Sequence, residues 1–185
     1  MPAVAKVSDE AVVRAARRLI ERAGLEACSM QAVAEAVGVR APSLYKRFAD
    51  RAALLGAVAR QLFAELGERL EVAAARPGPD SAIRAMADAY RAFARAHPHL
   101  YALMFAAELP RDAVHDDARR AAAQPILSRL HDWVGPARAL PTARVLTAFV
   151  HGFVSMELAG AFRLGGNVDE AYAHGLHLLL SSIAG

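Results

Sequence analysis

The residues best suited to chemistry lie close together: Arg40, Ser43, Lys46 and Arg47, with the small Ala41 beside the first. Steps of three and four put them on one side of a helix. Lys and Arg meet phosphates or guanine edges, Ser meets a phosphate or a base, and Ala leaves room where bulk would block entry to a groove. The chemistry is therefore that of a nucleic-acid face. Two basic residues also occur on ordinary solvated helices, so the reading depends on the elements that would hold these side chains in place.

Those elements are legible in residues 29–48, SMQAVAEAVGVRAPSLYKRF. Ser29 can cap a short helix that runs to Val37, and Gly38 can take the left-handed conformation that turns the chain. A second helix is expected from Ala41 to Phe48, with Pro42 in its first turn, where no intrahelical N–H is lost. Two helices crossing steeply need a small residue at the contact and glycine in the turn, and Ala34 and Gly38 meet both demands. Val33, Val37, Val39 and Leu44 supply the inner side, so Ser43, Lys46 and Arg47 face outward. Charge agrees: residues 1–60 hold ten Lys or Arg against six Asp or Glu, and the rest hold twelve against thirteen. The basic character is N-terminal, as a nucleic-acid surface requires.

The remaining chain reads as helix almost throughout, which makes the protein all-α with about nine helices. The first helix follows the cap Ser8 and ends at Gly24. Asp50 caps a long fourth helix with Leu54, Leu55, Val58, Leu62, Phe63 and Leu66 inside, ending near Ala75. Residues 75–80, ARPGPD, are a break. Then come a helix with Ile83, Met86, Tyr90 and Phe93, a stop at His97-Pro98, and a short helix over residues 100–107. A helix with Ile126, Leu127, Leu130 and Trp133 ends near Val134, and residues 135–141 are expected as loop. The last helices are expected at 142–164 and 169–183, Asn167 and Glu170 forming a capping box for the second.

The stretch from Ala15 to Val58 resembles the N-terminal domain of the TetR family, above all in AVAEAVGVRAPSLYKRFADRAALLGAV with its alanine-glycine turn, Leu44-Tyr45, Phe48 and the basic residue before the Leu54-Leu55 pair. The resemblance implies a DNA-binding domain over residues 1–50 and an effector-binding and dimerisation domain over 51–185. It places Ala41, Pro42, Ser43, Tyr45, Lys46 and Arg47 on the recognition helix and Arg51 at the DNA backbone, with Ser29 joining the DNA-facing set. Arg40 departs from the family's serine-like cap and becomes a further phosphate candidate. Phe149-Val150-His151-Gly152 and Ser155 to Gly160 look like the subgroup named for a Trp-His-Gly motif, although Val150 stands where the tryptophan would be.

Three further groups could do chemistry. Met86, Phe93, Tyr101, Met104, Phe105, Trp133 and Phe149, with His151 as a polar contact, suit a cavity for an apolar small molecule or a packed core. Phe153, Met156, Leu158 and Phe162, with Leu176, Leu179 and Ile183, suit a four-helix interface with a second copy, and Gly152, Ser155, Ala159 and Gly160 would allow close helix approach. His151, His174 and His177 lack a further ligand at metal spacing and read as packed histidines, so neither metal nor cofactor is expected. Cys28 is alone and receives no role.

Nucleophile elbow, phosphate loop and metalloprotease motifs are absent, which argues against an enzyme. With neither a long apolar span nor a secretion signal in view, a cytoplasmic protein is expected. The expected function is a ligand-responsive regulator: a homodimer on double-stranded palindromic operator DNA, released by a small apolar effector. The alternative is a helical small-molecule-binding or catalytic protein without DNA-directed function.

Overall fold

The computed structural model describes residues 7–184, and every regular element among them is helical. α1 (Asp9–Ala23) starts at Ser8, whose hydroxyl accepts a 3.1 Å bond from the Ala11 N–H. This satisfies a donor that every helix start leaves open, and Asp9 and Glu10 favour the positive end of the dipole. Gly24 ends the helix at φ 79°, a conformation that a side chain would strain. After a 3₁₀ turn, Leu25–Ala27, Ser29 caps α2 (Met30–Ala36) by accepting from the Ala32 N–H at 3.1 Å.

α3 (Ala41–Tyr45) follows the turn at Gly38 and is shorter than the expected 41–48. The N–H groups of Arg47 and Phe48 both reach the Leu44 carbonyl at 2.9 Å, the tightening of a last helical turn. The chain then leaves the helix so that Asp50 can cap α4 (Arg51–Ala74), its carboxylate accepting from the Ala53 N–H at 2.7 Å. α5 (Pro79–Ala96), α6 (Pro98–Met104), α7 (Ala113–Val134), α8 (Pro136–Leu158) and α9 (Val168–Ala184) complete the chain. Asn167 caps α9 as expected, accepting from Asp169 and Glu170 N–H groups while its amide donates to the Glu170 carboxylate at 3.1 Å.

Both limits of α8 differ from the sequence expectation. α8 begins at Pro136 instead of 142, because Pro136 fills a first-turn position where its missing N–H costs nothing, and buried Ala139 and Ala143 hold the next turns in spite of Pro141. It ends at Leu158 instead of 164. Gly160, at φ 62°, reverses the chain there, and the Ala161 N–H folds back to the Met156 carbonyl at 2.9 Å. Gly160 is therefore a helix stop and not part of a small-residue seam.

By packing, the chain forms two compact units, residues 1–64 with 97–119 and residues 65–96 with 120–185, the division falling within α4 and within α7. In the first unit, Val12, Ala16, Ile20, Val33, Leu44, Leu54, Leu55, Val58, Leu62, Leu100 and Leu103 form the buried core. α6 rests on α1 and the 3₁₀ turn, where His97 Nδ1 lies 2.7 Å from Glu21 Oε1 and His99 Nδ1 3.1 Å from the Glu21 carbonyl. In the second unit α8 packs on α5 and α9 through Leu146, Val150 and Val154, with Ile83, Met86, Phe93, Leu130, Tyr172, Leu176 and Leu180 also buried.

A charged group is buried in that second unit. Arg91 of α5, 8% exposed, donates to both Glu157 oxygens at 2.9 and 2.7 Å and pairs with Asp169 at 2.7 Å. Its guanidinium lies 4.5 Å from the Tyr172 ring centroid. The carboxylates keep Arg91 charged, raising its pKa against the cost of burial. One cation thus ties α5 to the end of α8 and the start of α9.

Candidate nucleic-acid interface

The α2–turn–α3 pair is built as the spacing predicts. Val33, Ala34 and Leu44 are at most 1% exposed, and across the turn the Val39 N–H donates to the Ala34 carbonyl at 2.9 Å. With Leu44 pointing in, Arg40, Pro42, Ser43, Tyr45 and Lys46 are exposed and Ala41 is half-buried. The side chains of Arg40 and Lys46 make no ion pair or hydrogen bond among the described residues. Tyr45, 53% exposed, presents its ring and hydroxyl to solvent beside Lys46. Here a short helix offers cations, hydroxyls and a small start, the composition that phosphate and base edges require.

Three expected DNA-facing residues are already engaged. The Ser29 hydroxyl is committed to its cap. Arg47 is half-buried and ion-paired with Asp9 at the start of α1. Arg51 points inward: its Nε donates to the Cys28 carbonyl at 2.7 Å and its Nη2 to the Leu25 carbonyl at 2.8 Å. Both acceptors lie in the connection between α1 and α2, so Arg51 clamps the segment that aims the helix pair. The sequence offers no signal for this, because the acceptors are backbone carbonyls more than twenty residues away. Burial pushes the Cys28 thiol up, with nearby Arg51 opposing, which favours the unreactive protonated form.

The expected effector residues are shared between the two units. Tyr101 and Met104 are buried and Phe105 is 43% exposed in the first unit, where the Tyr101 and Phe105 rings meet edge to face at 5.2 Å. Met86, Phe93, Trp133, Phe149 and His151 belong to the second. There Phe149 stacks on Tyr172 at 5.9 Å, and His151 Nδ1 lies 3.3 Å from the Tyr90 hydroxyl. Burial lowers the His151 pKa, favouring the neutral ring. The second unit also has a cavity of about 480 Å³ lined by Glu71, Gln124, Pro125, Ser128, Arg129 and Asp132, with Ala74 and Ala75. None of the expected effector residues lines it, and its wall is largely polar.

The expected interface residues divide as well. Leu176 is 1% exposed and joins Tyr172 and Leu180 on the inner stripe of α9, so it is core instead of contact surface. Phe153, Leu179 and Ile183 are half-buried, whereas Met156, Leu158 and Phe162 are exposed. The sequence reading missed Val145 and Leu178, 55% and 56% exposed. Exposed Ala171, His174 and Ser182 flank Leu178 on α9. A Cβ placed on Gly152 would meet open space, whereas one on Gly175 would lie 2.6 Å from Phe149 Cζ. Gly175 thus permits the α8–α9 approach within this chain.

An all-helical chain with a helix-turn-helix and an exposed basic recognition helix defines a DNA-binding protein of the regulator type. Comparison with known proteins names the family. Residues 12–58 match the model described as bacterial regulatory proteins, tetR family, and residues 83–179 match that for a tetracyclin repressor-like C-terminal domain. The second match lends no support to the Trp-His-Gly subgroup suggested by residues 149–160. A helix-turn-helix transcriptional regulator of Mycobacterium tuberculosis, itself named as uncharacterized, is 30% identical over 158 residues, 84% of this chain and 72% of that one. A protein of unknown function from Rhodococcus sp. RHA1 has the same fold, at TM-score 0.84 and 27% identity with both chains covered completely. A TetR variant from Acinetobacter baumannii AYE, solved in complex with minocycline, matches at TM-score 0.71 and 22% identity over 96% of each chain.

The chain belongs to the TetR family of transcriptional regulators. It is a DNA-binding regulator and not an enzyme. No helix among the described residues is long and apolar enough to cross a membrane.

Proposed function

We propose that this protein is a ligand-responsive repressor that binds a palindromic operator as a homodimer in the cytoplasm and is released by a small, largely apolar effector. The observation that carries the reading is the recognition helix: Leu44 is buried while Arg40, Ser43, Tyr45 and Lys46 stand exposed along one short helix. Residues 1–50 serve DNA and 51–185 serve the effector and the partner copy. Arg40 and Lys46 carry the free phosphate-directed charge, Ala41, Pro42, Ser43 and Tyr45 approach the groove, and Arg47 reaches DNA by releasing Asp9. Arg51 acts through the clamp it makes with Leu25 and Cys28.

The outward faces of α8 and α9, with Val145, Met156 and Leu178 exposed and open space before Gly152, support a four-helix contact with a second copy. Twofold symmetry then sets two recognition helices roughly 34 Å apart, matching half-sites one DNA turn apart. Minocycline in the Acinetobacter relative supports the ligand half of the reading. The test is to sequence genomic fragments retained by the purified protein. An inverted repeat bound by wild type and lost in Lys46→Ala is expected, and retention without sequence preference would overturn the proposal.

A further inference from the structure

His115 is 2% exposed, and neither of its ring nitrogens has a hydrogen-bond partner among the described residues. A neutral imidazole carries one N–H donor and one acceptor, and burying both without a protein partner is unfavourable. Folded proteins keep few such groups, and each calls for a partner or a task.

The surroundings of His115 are built from three helices of the first unit. Its ring meets that of Phe63 on α4 edge to face, centroids 5.5 Å apart at 76°. Arg119, four residues along α7 and so on the same face, lays its guanidinium 5.5 Å from the Phe63 centroid and donates to the Met104 carbonyl at the end of α6, 3.1 Å away. Arg60, one turn before Phe63, adds a second positive charge felt by the imidazole, opposed by Asp112 and Asp116. Asp112 is already committed, accepting from the His115 backbone N–H at 2.8 Å, and Asp116 is exposed. Met104 is fully buried.

We propose that this corner of α4, α6 and α7 anchors an organic acid, its carboxylate received by His115 and Arg119 and its hydrocarbon body lying against Phe63 and Met104. The proposal rests on the ligand-responsive reading above and names the chemistry of the effector's polar end. An anion suits the place better than a neutral group because the positive charges of Arg119 and Arg60 already act on the imidazole and because a bond from an imidazole N–H to a carboxylate is charge-assisted. The ring nitrogens are covered, so entry requires the start of α7 to move from α4. That seam is closed by Pro110 against Gly56, where a Cβ would lie 3.0 Å from Pro110 Cδ. Opening it displaces α4, whose first residue, Arg51, holds the α1–α2 connection behind the recognition helix. A bound acid thereby acts on the DNA-reading geometry within one unit.

The free protein holds the His115 pKa low, chiefly by burial with Arg119 next. A bound carboxylate raises it, so acid binding takes up a proton and strengthens as pH falls from 8 to 6. The experiment compares octanoate and benzoate with octanol and benzyl alcohol, by thermal melting and operator titration, on wild type, His115→Phe and Arg119→Gln. Acids are expected to raise the wild-type melting temperature and weaken operator binding at least fivefold, more at pH 6 than at pH 8, with the matched alcohols inert. His115→Phe keeps the contact with Phe63 and removes two unpaired polar atoms, so it should melt no lower than wild type and ignore the acids. Arg119→Gln should lose most of the acid response as well. Equal effects of acids and alcohols, an undiminished acid response in His115→Phe, or no acid effect on wild type would each overturn the proposal. In those cases, release from the operator by a neutral compound in a wider screen would leave the ligand-responsive reading standing, and its failure with every compound would remove that reading too.

Discussion

Lys46 and Arg51 are both cations near the turn, yet their geometry gives them different work. Lys46 is exposed and unengaged among the described residues, so Lys46→Ala should weaken operator binding and lower the slope of log affinity against log salt by about one. Arg51 has carbonyl partners. Hydrogen bonds from a charged donor contribute about 1.5–3 kcal/mol each, so Arg51→Ala should cost at least about 1.5 kcal/mol in urea unfolding and leave the salt slope as it is. A normal stability with a reduced slope would instead put Arg51 on a phosphate. His115 and His151 both have pKa values lowered by burial. The unfolded chain therefore binds more protons once pH falls below about 6.5, and the stability these two groups contribute is complete above that value and lost below it. Melting temperature should drop between pH 7.5 and 5.5, and the drop should shrink in His115→Phe.

At the scale of elements, the approach of α8 and α9 depends on Gly175. Alanine there would gain about 1 kcal/mol in helix propensity but would press on Phe149, whose ring stacks on Tyr172 and lies 5.9 Å from Phe153. With Tyr172 and Phe153 already beside that ring, overpacking of about 1–3 kcal/mol offsets or outweighs the gain. Gly175→Ala should lower unfolding free energy by up to about 2 kcal/mol, measured by denaturant titration, and Phe149→Leu in the same chain should recover part of it. The Arg91 pairing with Glu157 and Asp169 ties these helices to α5. Removing one member of a buried pair strands the other, although exposed Asp169 can find water and so limits the loss.

At the scale of the whole molecule, the outward stripe of α9 and the exposed side of α8 form the proposed dimer interface. Leu178→Glu, at an exposed site, should leave the fold intact and shift the sedimenting species from about twice 19.7 kDa toward a single chain, with operator affinity falling together with it. An unchanged dimer would place the interface elsewhere. The proposed release by an effector belongs to this scale too: a coupling of about 1–3 kcal/mol would lower operator affinity about 5- to 150-fold, and only a ligand that prefers one conformation supplies it.

Local rules carried much of this protein in its sequence. Caps at Ser8, Ser29, Asp50 and Asn167 and the turn at Gly38 depend on residues within a few positions of each other, so the helix starts and the helix-turn-helix could be read directly. The outward direction of Ser43 and Lys46 followed from Leu44 by helical period alone. Tertiary structure decided what local rules do not reach. Arg47 finds Asp9 and Arg51 finds two carbonyls because distant segments are brought side by side, and an arginine's partner is set by what lies within reach of its fork, not by its neighbours in sequence. Packing also made Leu176 core and left Leu178 exposed, a distinction that depends on which side of α9 meets α8. The apolar set expected to line one pocket draws on both units, and packing decides its neighbours, because hydrophobicity records that a side chain leaves water and not which neighbours it joins.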